Sequence, residues 1–292
     1  MGGHTTKSHT DRSFGFNAAG VDAVCPDEID GRRFVDVHCH CLAGLDDGPA
    51  TMAEALDLCR GLVEDCITHV VATPHQLGRY SGCNEAAEIR DAVLSLNESL
   101  RRHSIPLNVY PGGDIRVDER ICELLEADKI LTLADGGRYV LLELPHEVFI
   151  NIEPLLAELC SRGIEAIISH PERHPALAGQ PKVLERWFRS FAHLQVTAGS
   201  FLGEFGPSAQ NAAWRFLSSG WVSLVATDSH DLDGRSPCMT AAYERIATRF
   251  GRGIARLVCV ENPVMVLRSQ GMQPTGSMLL GKRINDGIFD IS

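Results

Sequence analysis

The sequence has no apolar run approaching the roughly 18 residues of a membrane-spanning helix, so no span is expected. Its ten cysteines include no Cys-x-x-Cys pair and no regular ladder of spacings, which excludes a disulfide framework. They read as reduced thiols, some of them buried as small apolar side chains. Basic residues are in deficit, 27 Lys and Arg against 38 Asp and Glu, for a net charge of −11. That balance leaves no broad basic footprint for nucleic acid or an anionic membrane, although a local patch of arginines remains compatible with it. The first residues, Met1 to Asp11, are polar and lack the apolar centre of a signal peptide, so the expected compartment is the cytoplasm. No internal repeat and no low-complexity tract is visible.

A hydrophobic fraction of 44% and a charged fraction of 22% are those of an ordinary globular protein. The length of 292 residues fits two average domains or one α/β barrel. Residues 1–33 are rich in Gly, Thr, Ser and Asp without periodicity and read as an N-terminal extension, His4 and His9 included. From residue 34 short β-branched runs alternate with amphipathic stretches. Strands are expected at Phe34–His38, Thr68–Thr73, Leu107–Gly112, Tyr139–Leu144, Glu165–Ser169, Leu194–Ala198 and Val222–Thr227. Helical patterns lie between them, at Met52–Asp65, Glu85–His103, Asp118–Ala127, Ile152–Arg162, Pro181–Phe191, Ser208–Ser218 and Pro237–Phe250. Thr51 and Glu54 stand at capping-box spacing before the first of these. Such alternation implies a parallel sheet, either open and doubly wound or closed as a barrel. Residues 268–292, with Gly271, Pro274, Gly276 and Gly281 and no clear period, read as a loose C-terminal extension.

The ionisable residues separate the two closures. Six of the seven expected strands deliver His, Asp or Glu near their C-terminal ends. An open sheet gathers ligands at one crevice, whereas a barrel gathers every strand end around one axis. The barrel is therefore favoured. His38 and His40 alternate by two, so on a strand both face one side. Together with Asp47, His75, Asp114, Glu143, His170, Asp228 and His230 they make nine candidate N/O ligands. That donor set suits Mn, Fe or Zn, and it is large enough for two or three ions sharing carboxylates. Any one of these histidines could be an ordinary hydrogen-bonded strand end. The ordered series H-x-H, T-P-H, H-P-E-R and D-x-H is hard to produce by chance.

The segments "DVHCHCLAGLDDGPATMAEAL", "VVATPH", "YPGGDIRV", "YVLLELP", "ISHPERHP", "AGSFLGEFG" and "ATDSHDLDGRSP" resemble the PHP (polymerase and histidinol phosphatase) family of metal-dependent phosphoesterases. More narrowly they resemble its CpsB/YwqE-type branch, the bacterial tyrosine-protein phosphatases of capsule and exopolysaccharide loci. The likeness spans about residues 34–267. It implies a distorted (β/α)7 TIM-like barrel with a trinuclear centre, Mn2+ first and Fe or Zn as alternatives. It also implies a partition of the ligands. His38, His40, Asp114 and Asp228 would hold one ion, Asp114 would bridge to a second held by Glu143 and His170, and Asp47, His75 and His230 would hold a third. Arg173 and Arg235 fall where the family places phosphate-binding arginines. Asp114 stands where the family has Glu, a side chain one methylene longer, so altered metal affinity is expected there.

Two metals a few ångströms apart can lower the pKa of a shared water from 15.7 to about 7 and bind phosphoryl oxygens, so attack by metal-activated hydroxide is expected. Arginine forks suit the remaining oxygens. A phenol, with a pKa near 10, leaves without strong general-acid help. A cysteine-nucleophile phosphatase is excluded, because no cysteine has Arg six positions on. Cys39 should face away from His38 and His40 and pack. The run Gly276 to Lys282 imitates a phosphate-binding loop, but Arg283 replaces its Ser or Thr and no strand precedes it. His69, His103 and His193 have no motif support; His146 and His174 could line a rim. The resemblance implies a phosphotyrosine protein as substrate, a bacterial tyrosine kinase in particular, with homo-oligomers possible. The alternatives are a small-molecule phosphatase such as a histidinol phosphatase, or a silent regulatory protein in which Asp114 has spoiled the centre.

Overall fold

The computed structural model describes residues 33–276 apart from 147, 190 and 191. The N-terminal extension and the phosphate-loop imitation beyond Gly276 lie outside the described residues.

Among the described residues nine strands appear in chain order: β1 (Phe34–Cys39), β2 (Ile67–Ala72), β3 (His75–Gln76), β4 (Asn108–Pro111), β5 (Asp114–Arg116), β6 (Tyr139–Glu143), β7 (Glu165–Ser169), β8 (Ala192–Thr197) and β9 (Val222–Ala226). Every ladder between them is parallel. The seven expected strands are all present, and β3 and β5 are additions with a local cause. Each continues an expected strand past a break, β2 across Thr73-Pro74 and β4 across Gly112-Gly113. Pro74 has no N–H to give a ladder, so pairing must stop there and resume beyond it.

The ladders form two sheets, β1-β2-β4 and β3-β5-β6-β7-β8-β9, and not one closed barrel. A single bridge between Cys39 and Ser229 links the first strand to the end of the last. Asp228 N–H donates to the His38 carbonyl and His40 N–H to the Ser229 carbonyl, each at 2.8 Å. The fold is thus α/β with parallel sheets. Strands β1, β6 and β9 are buried at every residue, as expected where helices cover one face and the interior fills the other.

Helix 52–64 starts where the sequence places it. Thr51 Oγ1 accepts from Glu54 N–H while the Glu54 carboxylate accepts from Thr51 N–H. Helix 86–102 carries a second capping box, formed by Glu85 and Glu88. Residues 252–267 form three consecutive helical pieces, the middle one a π turn. The amphipathic pattern misses them because the stretch is buried nearly all round. Residues 269–275, expected to be loose, are tied to the body. Tyr139 donates to the Gln270 carbonyl at 2.7 Å, Asn262 exchanges hydrogen bonds with Gln273, and Thr275 donates to the Val222 carbonyl at 2.6 Å. Among the described residues no helix is long and apolar enough to cross a membrane.

Candidate metal centre

The strand breaks and strand ends carry the site. Strand β1 turns His38 inward, with His40 just beyond its end on the same side, both almost completely buried and with their Nε2 atoms 3.3 Å apart. Cys39 packs the other way, its thiol 3.6 Å from the Ser229 carbonyl. His75 and Asp114 are the first residues after the two breaks, and they are register partners on β3 and β5. Glu143 closes β6, opposite Arg116. His170 follows β7 and Asp228 follows β9, with φ of 35° and 56°. Left-handed backbone at two such residues is the kind of local strain that concentrates at functional sites.

All nine expected ligands meet in one place. Their donor atoms form four groups compact enough for one ion each: His40, Asp47, His75 and His230; His38, Asp114 and His170; His38, His40 and Asp228; and His75, Asp114 and Glu143. The groups overlap the partition implied by the resemblance without matching it. His75 stands among three acids, Nε2 3.4 Å from Asp47 and Nδ1 3.2 Å from Asp114 and 3.6 Å from Glu143. His170 lies 3.9 Å from Glu143. Both oxygens of Asp114 are buried without a hydrogen-bond partner, so this anion has only the neighbouring imidazoles to balance it.

The imidazoles are oriented from behind. Nδ1 of His38 meets Oε1 of Gln195 at 2.9 Å, Nδ1 of His40 meets Oδ2 of Asp46 at 2.6 Å, and Nδ1 of His230 meets the Asp228 carbonyl at 3.0 Å. Each of these partners accepts from Nδ1–H, which turns Nε2 toward the cluster. The acids make the cluster hungry for positive charge. Burial works against a charged His38, but Asp228 and Asp114 outweigh it and raise its pKa to about 9. At His75 burial is likewise overcome, by Asp114 and Asp47, and the pKa rises to about 11. Burial and the adjacent Asp114 push Glu143 up to about 7. The imidazoles of His230 and His75 beside it hold Asp47 far below the usual carboxylate range. Burial and His40 depress His230 to about 4, so it accepts from Arg235 Nη1 at 2.8 Å.

Arg173 and Arg235 both ion-pair with Oδ2 of Asp228 and both line a cavity of about 310 Å³ that opens over the cluster. The Arg173 guanidinium lies 4.2 Å over the Phe205 ring. His146 lines the same cavity and stacks on His170. His174 stacks behind His146 and bonds the Pro145 carbonyl. Elsewhere, His69 bonds Thr68, His103 the Ser99 carbonyl, and His193 bonds Glu165 and Ser223. Sequence reasoning passed over Asp46, Gln195, Arg116, Arg79 and Tyr80. Asp46 was within reach, since the doubled acid of L-D-D-G offers one carboxylate to an ion and one to a histidine. Gln195 carries no motif at all.

A family described as "Capsular polysaccharide synthesis, CpsB/CapC" matches residues 34–268. The chain belongs to the CpsB/CapC family. It is 32% identical over 238 residues to the tyrosine-protein phosphatase YwqE of Bacillus subtilis (strain 168), covering 81% of this chain and 92% of YwqE. It is 30% identical over 244 residues to the tyrosine-protein phosphatase CpsB of Streptococcus pneumoniae, covering 81% and 99%. It also superposes with a TM-score of 0.79 and 30% identity on a solved chain, covering 83% of this chain and 97% of that one. That chain comes from the crystal structures of YwqE from Bacillus subtilis and CpsB from Streptococcus pneumoniae, described as unique metal-dependent tyrosine phosphatases. The residues matched to the CpsB/CapC family, 34–268, include every described strand and each of the nine clustered side chains.

Proposed function

We propose that the protein is a metal-dependent tyrosine-protein phosphatase, a phosphoric monoester hydrolase of phosphotyrosine in proteins. The observation that carries this reading is a cluster of nine His, Asp and Glu side chains, four of which (Asp47, His75, Glu143 and His170) line one cavity together with Arg173 and Arg235. It occurs in a chain a third identical to YwqE along most of its length. The donors fit divalent ions: imidazoles present Nε2 inward, and a buried carboxylate at Asp114 lacks a hydrogen-bond donor. His38, His40, Asp47, His75, Asp114, Glu143, His170, Asp228 and His230 would hold them, with Mn2+ the ion we infer. When bound, the ions supply positive charge for phosphoryl oxygens and a water acidic enough to attack near neutral pH.

The chain's own groups do the rest. Arg173 and Arg235 offer forked donors to the phosphoryl oxygens, and Phe205 keeps the first of them over the cavity. Asp46 and Gln195 hold the imidazoles in register. A tyrosyl leaving group, with a pKa near 10, departs without a strong acid beside it. The fold is, in this reading, the distorted (β/α)7 barrel of the PHP type, its irregularity being the two breaks and the lone bridge. Its substrate is a bacterial tyrosine autokinase that regulates exopolysaccharide or capsule synthesis, and it acts in the cytoplasm, where its cysteines stay reduced.

The test is aryl-phosphate turnover with and without a chelator, beside His40→Ala and Arg235→Ala. Chelation and His40→Ala should abolish turnover, and Arg235→Ala should lower it by about 10²-fold, the usual cost of one transition-state donor. Chelator-insensitive turnover, or a strong preference for histidinol phosphate over phosphotyrosine peptides, would overturn the reading.

A further inference from the structure

Most of the cavity over the cluster is lined by charged side chains and imidazoles, which suits the phosphoryl group and says nothing of what it is attached to. Leu77 and Tyr80 are the exceptions, and the flat face belongs to Tyr80. It is the one Phe, Tyr or Trp among the lining residues. The ring is fixed on three sides. It stacks on the His75 imidazole with centroids 5.7 Å apart and planes within 15°. The Arg79 guanidinium lies 4.8 Å over it, and Arg79 Nη2 donates to its hydroxyl at 3.0 Å. A tight turn sets the backbone: Tyr80 N–H donates to the Leu77 carbonyl at 3.0 Å, with Leu77 and Gly78 both left-handed.

We propose that Tyr80 is the specificity-determining residue of the cavity, selecting phosphate esters with an aromatic leaving group by stacking against their ring. The inference rests on the phosphatase reading above and deepens it. A phosphoryl group held between the cluster and the two arginines leaves its ester substituent to run outward along the wall that Tyr80 supplies. A ring already held by His75 loses little freedom when a second ring takes the place of the exposed Arg79 guanidinium over it, which is the condition under which an aromatic pair contributes most. An alkyl substituent gains nothing comparable from the same wall.

The experiment uses inert phosphonates, so that binding is separated from leaving-group chemistry. Inhibition constants for phenylphosphonate and methylphosphonate are measured on the manganese-loaded full chain, its Tyr80→Ala and Tyr80→Phe variants. Tyr80→Ala should weaken phenylphosphonate by about three- to ten-fold, the size of one aromatic pair, and leave methylphosphonate unchanged. Tyr80→Phe should behave as the parent, because the ring and not the hydroxyl makes the contact. Equal weakening of both inhibitors, with a lowered affinity in a manganese titration, would show that Tyr80 merely props His75 and would overturn the inference. So would no change in either. A parent chain without chelator-sensitive aryl-phosphate turnover would instead defeat the phosphatase reading itself.

Discussion

His38 and His75 show how the chemistry of single residues sets a condition for the whole site. Each is buried among carboxylates, and each binds a proton far more tightly than a free imidazole. A cation entering the cluster must displace those protons. Metal affinity should therefore rise with pH between 6.5 and about 9, by up to about tenfold per unit for each proton released. Metal titrations across that interval, in buffers that report proton uptake, check it; a flat profile would contradict it. Stability of the chelated protein should move the other way. The raised His38 contributes stability below its ordinary value of 6.5 and loses it as pH rises through about 9, and Glu143 does the same between 4.5 and about 7. The depressed Asp47 and Asp228 act oppositely, contributing above 3.8 and failing on acidification. Asp114 is the residue whose identity could not be judged from its letter. Its shorter side chain still reaches His75 at 3.2 Å, because the break at Gly112-Gly113 brings β5 alongside β3.

At the scale of elements, the site depends on close approaches that only small residues allow. A Cβ at Gly48 would lie 2.3 Å from the His40 carbonyl oxygen, a backbone atom that cannot swing aside. The turn so formed is closed by Asp46, which accepts from Gly48 N–H and His75 N–H and holds His40. Gly48→Ala should push this loop away from β1. The expected cost is about 1–3 kcal/mol in urea unfolding, with weakened metal binding from the displaced Asp46 and Asp47. Parent-like values in both measurements would show that the loop yields freely. The periodic elements were the legible part of the sequence. Helix 52–64 and its cap follow from Thr51, Glu54 and an apolar stripe, and the seven main strands follow from β-branched runs. What periodicity could not announce were β3 and β5, two and three residues long, and the helices over 252–267, buried nearly all round.

For the molecule as a whole, we expect the cluster to act as a clasp once ions fill it. Its ligands come from six strand ends spread between residues 38 and 230, joined across the top of two sheets that share one bridge. Ions binding only the folded arrangement should stabilise it by mass action, by about 2.7 kcal/mol per site at a hundredfold excess over Kd. For a chain of this size that corresponds to about 4–5 °C in Tm for each site emptied. Scanning calorimetry with and without chelator measures it. An unchanged Tm would mean that the strand ends hold their places without ions.

The sequence by itself determined the alternation of strands and helices, the clustering of His, Asp and Glu at strand C-termini and the two arginines beside them. Each of these is a local matter of side-chain period and position along the chain. The tertiary structure alone decided how the nine ligands group and which atom each presents. It decided that Gln195 and Asp46 stand behind the histidines, and that Tyr80 and Arg116 belong to the cavity. Those facts depend on register between strands far apart in sequence, and register is settled by packing and hydrogen bonding across the fold, not by any run of residues.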